Sequence, residues 1–130
     1  MKLLPFLLLS LLACHPRLAE GTYLIAPEGV QALAAGERLR TDRRDPDLFS
    51  FVRVVEDSRC PRGVQCIQAG RAVVAVRVLR DGAFAEEQVV VGGGPVATDR
   101  GPLQLLSLEP YPDASVDDPE PYRLSVRFGE

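Results

Sequence analysis

The chain has 130 residues, 46% of them apolar and 25% charged, a length and balance that fit one globular domain rather than disorder. It carries one His (His15), one Lys (Lys2) and no Trp or Asn, so triads built on His and multi-His metal sites have almost no residues to use. A formal charge of −3 argues against a nucleic-acid partner, which would call for a basic patch.

Met1-Lys2 is a short positive start, and Leu3 to Leu12 is an apolar run of ten broken only by Pro5 and Ser10. Ten residues of helix span ~15 Å against a hydrocarbon core of roughly 30 Å, too short to cross a membrane and suited to a signal peptide. Leu11-Leu12-Ala13-Cys14 resembles the lipobox of bacterial lipoproteins, in which the Cys is acylated and the chain is cut just before it. The resemblance implies a signal peptide over 1–13, a lipid (palmitate-bearing) anchor at Cys14 and a tether to Gly21. A secretory signal with a chance Cys is the alternative. Cleavage would leave 14 Arg against 18 acids, a charge of −4 with no Lys. The tether reaches at most ~25 Å, which would hold the domain close to its membrane. His15 rather than Asp after the Cys implies, by the same resemblance, the outer membrane, with the domain facing the periplasm or the cell surface.

From 22 to 130 no apolar pattern of helical period is sustained, and short runs rich in Val, Leu and Phe alternate with turn residues. Strands are predicted at 23–26, 30–34, 37–41, 48–57, 71–81, 84–92, 103–109 and 122–128. Asp81-Gly82 predicts a type I′ hairpin, since both turn positions accept positive φ. In the last run Tyr122, Leu124, Val126 and Phe128 share one face, and Arg123, Ser125 and Arg127 the other. Residues 42–47, 92–102 and 110–121 read as loops. About seven or eight strands at this spacing predict a single all-β domain, an antiparallel β-sandwich or small barrel.

Cys60 and Cys66 lie between two predicted strands, in Asp57-Ser58-Arg59-Cys60-Pro61-Arg62-Gly63-Val64-Gln65-Cys66-Ile67-Gln68-Ala69-Gly70. In an oxidising compartment an even remaining pair reads as a disulfide closing a short loop, in which Pro61 and Gly63 suit the turn. A redox pair would more usually show C-x-x-C spacing, and zinc would need two further N or S ligands. Asp57 is placed to fold back on backbone N–H groups as an Asx-turn.

This segment resembles the D-S-R-C-P…C-x-x-A-G signature of small exported bacterial lipoproteins. Leu108-Glu109-Pro110-Tyr111-Pro112 and Tyr122-Arg123-Leu124 extend the resemblance, which covers the chain from about Val30. It singles out Asp57, Pro61, Gly70 and Tyr111, and implies location and fold without an activity. Where relatives often carry Trp before Ala-Gly, this chain has Gln68.

No catalytic residue, cofactor or metal site is expected. Glu86 and Glu87 are adjacent on a strand and face opposite ways, while Asp113, Asp117, Asp118 and Glu120 lack the EF-hand spacing. Gly92-Gly93-Gly94-Pro95 is followed by no Lys-Ser/Thr helix, so it is no phosphate cradle. Arginine is the more suggestive pattern. Arg71, Arg77, Arg123 and Arg127 fall on strand faces and Arg59 and Arg62 in the cysteine loop, which would suit an anionic polymer or acidic partner if the strands were neighbours. Pairing with Glu86 and Glu87 is the competing use. The expectation is a membrane-anchored envelope lipoprotein that binds or builds rather than turns over substrate. The alternative is an inhibitor of a protease or other envelope hydrolase, acting through the stiffened cysteine loop.

Overall fold

The structure, a computed structural model, describes residues 21–129, and the period-two runs of the sequence are strands in it. In chain order they are β1 Thr22–Leu24, β2 Val30–Ala34, β3 Arg38–Arg40, β4 Phe49–Asp57, β5 Ala72–Arg80, β6 Ala83–Val90, β7 Pro95–Thr98, β8 Gly101–Glu109 and β9 Arg123–Phe128. Five form one sheet in the order β1-β3-β4-β5-β6, and four form a second in the order β2-β9-β8-β7. Every pairing is antiparallel except β1 with β3. The sheets do not close into a barrel. They face one another as a sandwich, with Phe49, Phe51, Leu33, Leu103, Leu124 and Val76 fully buried between them. Each such side chain contributes about 1.5–3 kcal/mol relative to exposure.

The last strand follows its alternation from Arg123, which is exposed, with Leu124, Val126 and Phe128 buried, whereas Tyr122, expected on the buried face, precedes the strand and is exposed. Two strands break parity. In β8, Leu103 and Leu105 point inward, and a bulge between Leu105 and Ser107 turns Leu106 out and Leu108 in. In β4 a bulge between Phe51 and Arg53 keeps the arginine out of the core that strict alternation would have given it. β5 is central and buried on both faces apart from Arg77 and the half-buried Arg80. Arg53 reaches across its outer side to Glu86 at 3.2 Å, roofing Ala75.

Asp81 and Gly82 have φ of 53° and 73°, the paired positive values of a type I′ turn. The Asp99 carboxylate caps that turn by accepting from both backbone N–H groups, at 2.6 and 2.8 Å.

The ninth strand corrects the expected loop over 92–102. β7 occupies its middle, and β8 begins at Gly101 rather than Leu103. Only Val96 of β7 is buried, so four residues carry no visible alternation. Pro95 is tolerated because it opens an edge strand, where its missing N–H interrupts no ladder. Cys14 and the rest of the predicted signal and tether, to residue 20, lie outside the described residues. No helix among the described residues is long and apolar enough to cross a membrane.

Candidate functional site

β4 and β8 run toward the same end of the sandwich, so the segments that follow them, 58–71 and 110–122, lie side by side there. The first is closed by the Cys60–Cys66 disulfide, with Cα atoms 5.8 Å apart. Its base continues the β4–β5 ladder: Ser58 N–H donates to the Arg71 carbonyl at 2.9 Å and Cys60 N–H to the Ala69 carbonyl at 3.0 Å. Gly70 makes that approach possible. Its φ is +69°, and a Cβ there would overlap the Ser58 carbonyl oxygen.

Asp57 and Arg59 tie the two segments together. The guanidinium grips the carboxylate through Nε–Oδ1 at 2.7 Å and Nη2–Oδ2 at 2.8 Å. It also donates to the carbonyls of Leu108 at 2.7 Å and Pro110 at 3.2 Å. The side chains are only 14% (Arg59) and 9% (Asp57) exposed, so their charges are neutralised by each other. The Arg59 guanidinium holds the Asp57 carboxyl below the usual carboxylate range against the opposing effect of burial, and the Tyr122 hydroxyl adds to the lowering by donating at 2.8 Å. Burial first, then that same carboxylate, raises the Tyr122 phenol. The Arg59 backbone N–H contributes a smaller lowering of Asp57, a remnant of the expected Asx-turn. The chief partner is the guanidinium.

Tyr111 locks the other side. Its hydroxyl donates to the Cys60 carbonyl at 2.9 Å, and the guanidiniums of Arg59 and Arg62 lie 4.9 and 5.2 Å from its ring centre. Arg62 N–H donates to the Pro112 carbonyl, and its own carbonyl accepts from Ala114 N–H, at 2.9 and 3.0 Å. Thus Asp57, Arg59, Gly70, Tyr111 and Tyr122, residues far apart in the chain, meet at one end of the fold.

Within the second segment, with Pro61 of the first at one side, opens a cleft of about 540 Å³. Four prolines (Pro61, Pro110, Pro112 and Pro119) wall it with Tyr111 and Tyr122, and Val116 adds a half-exposed apolar side chain. Asp113, Asp118 and Glu120 also line it, and among the described residues no cationic residue does. Asp113 is held below the usual range first by the Ser115 hydroxyl and then by the Ser115 backbone N–H. On the far side of the cysteine loop Ile67 is wholly exposed and Val64 half-exposed. Among the described residues no cluster of three His, Cys, Asp or Glu is placed to hold a metal ion.

The six candidate arginines do not share one face. Arg71, beside Glu56 at 3.3 Å, directly precedes β5, and Arg77, stacked 4.7 Å over Phe84, stands on β5 in the five-stranded sheet. Arg123 and Arg127 stand on β9 in the other sheet, where Arg127 donates to Gln104 Oε1 at 2.9 Å. Glu86 and Glu87 pair with Arg53 and Arg80. The roles of Tyr122 and Val116 are not visible in the sequence, nor is it visible that the expected loop over 110–121 forms most of the cleft. The density of proline between 110 and 121 was the one available signal.

No protein-family model matches the chain, and no curated protein or solved structure matches it.

Proposed function

We propose that the protein is an exported lipoprotein of the bacterial cell envelope, anchored through Cys14 in the outer membrane, whose β-sandwich serves as a non-enzymatic binding module. The cleft carries this reading. A disulfide closes the first segment, and Arg59, held by Asp57, together with two tyrosine hydroxyls fastens the second to it, which fixes an apolar, aromatic surface before any partner arrives. Such preorganisation lowers the entropic cost of binding. The polar groups beneath it, Asp57 and Arg59, are engaged with each other rather than held ready for proton transfer.

Two measurements test it. Cys14→Ser should move the protein from the membrane to the soluble fraction, and unchanged membrane association would refute the anchor. Cross-linking in intact envelopes should capture a partner with the parent and lose it with Val116→Arg, which fills the cleft. Equal capture by both would remove the cleft from the reading.

A second reading has its own observation. Ile67 and Val64 protrude from the stapled loop, as an inhibitor's loop presents apolar side chains to a hydrolase. Inhibition of an envelope protease at micromolar protein that is lost in Ile67→Asp would favour it, and none across a hydrolase panel would sink it.

A further inference from the structure

The arginine pattern would suit an anionic partner, yet the charged side chains lining the cleft are acidic. Ion pairs along β3, β4 and β6 match Asp47, Glu56, Glu86 and Glu87 with arginines. Asp118 and Glu120 take part in no ion pair among the described residues, and Asp117 beside them takes part in none either. An acidic polymer or anionic headgroup would meet like charge here, whereas a cation would find unmatched carboxylates above an apolar floor.

The walls also disfavour pairing with an added strand. Proline has no N–H, so the four prolines lining the cleft offer no donors with which to extend a β-ladder to an added strand. A polyproline II segment makes no such demand. It docks side chains and rings against aromatic walls, and its backbone stays solvated. The open volume of about 540 Å³ lies within the range of small-ligand and side-chain pockets.

We propose that the cleft receives an extended, proline-containing segment of a partner protein that carries an arginine or lysine, its apolar residues against Tyr122 and Val116 and its cation against Asp118 and Glu120. The proposal rests on the cleft being the binding face and adds the class of partner.

Random heptapeptides displayed on phage, selected against the full chain in detergent, provide the test. The expected consensus contains Pro with Arg or Lys. A synthetic peptide of that consensus should bind the parent, bind Glu86→Gln equally, and bind Asp118→Asn/Glu120→Gln about tenfold more weakly at low salt. Raising salt from about 50 to about 500 mM should weaken the parent's binding and leave that variant nearly unchanged. A neutral or acidic consensus whose binding Val116→Arg abolishes would overturn the cationic partner and leave the cleft as the binding face. No enrichment, or binding indifferent to Val116→Arg, would overturn both.

Discussion

Replacing Asp57 by Asn keeps the size of the side chain and removes the charge that Arg59 neutralises. The amide can still accept one hydrogen bond, so the fork at 2.7 and 2.8 Å loses one of its two arms. The guanidinium stays where it is because the Leu108 and Pro110 carbonyls hold it, now as a charge only 14% exposed without a counter-ion. Breaking one partner of a buried pair costs 3–5 kcal/mol, and this pair sits at the sandwich end with some solvent nearby, so about 2–4 kcal/mol is expected. For a domain of this size that is a fall in Tm of roughly 10–20 °C. Urea unfolding at neutral pH measures it. The pH profile gives a second check. The folded-state carboxyl lies below its unfolded value, so its contribution is complete above the unfolded pKa of about 4 and is lost as pH falls through the folded one. The gap between parent and Asp57→Asn should therefore narrow below about pH 4. A variant within about 0.5 kcal/mol of the parent, or a gap constant down to about pH 2, would refute the assignment of Asp57–Arg59 as the clamp of this end.

Other expectations follow from the same geometry. Cys60→Ser/Cys66→Ser should cost about 2 kcal/mol, the loop-closure entropy of a short ring, and intact mass should rise by two hydrogens when the parent is reduced. Unchanged stability would mean that the Arg59 and Tyr111 bonds suffice without the bridge. Gly70→Ala places a methyl group on the Ser58 carbonyl at positive φ and should cost about 3 kcal/mol or more. Gly82→Ala, also at positive φ but in open space, should cost about 1–2 kcal/mol, and equal losses at the two sites would contradict the close approach at Gly70.

β9 was legible because one of its faces is buried and the side-chain period is two. Arg123 to Phe128 and Asp81-Gly82 needed no tertiary information. β7 was hidden because a four-residue edge strand with one buried side chain leaves no periodic trace. The bulges in β4 and β8 were hidden because they are shifts of register against a paired strand, which one strand's own pattern does not carry. At the site, Cys60, Cys66, Asp57, Pro61, Gly70 and Tyr111 stood out by motif, while the reason for their company did not. Arg59 looked like a surface cation. It turns inward because the end of β8 supplies two carbonyls and β4 supplies Asp57, a meeting of segments about fifty residues apart that no local pattern announces. The cleft is a tertiary product of the same kind, since the proline-rich 110–122 segment takes its shape from its bonds to Asp57 and the cysteine loop.

The claim that this end of the sandwich is the binding face is tested most directly by a photo-reactive residue placed at position 116 in living cells, compared with one at the equally exposed position 30 on β2. A discrete adduct from 116, absent from 30 and lost when Tyr122 is replaced by Ala, is the predicted result. Adducts of equal yield from both positions, or none from 116, would contradict it.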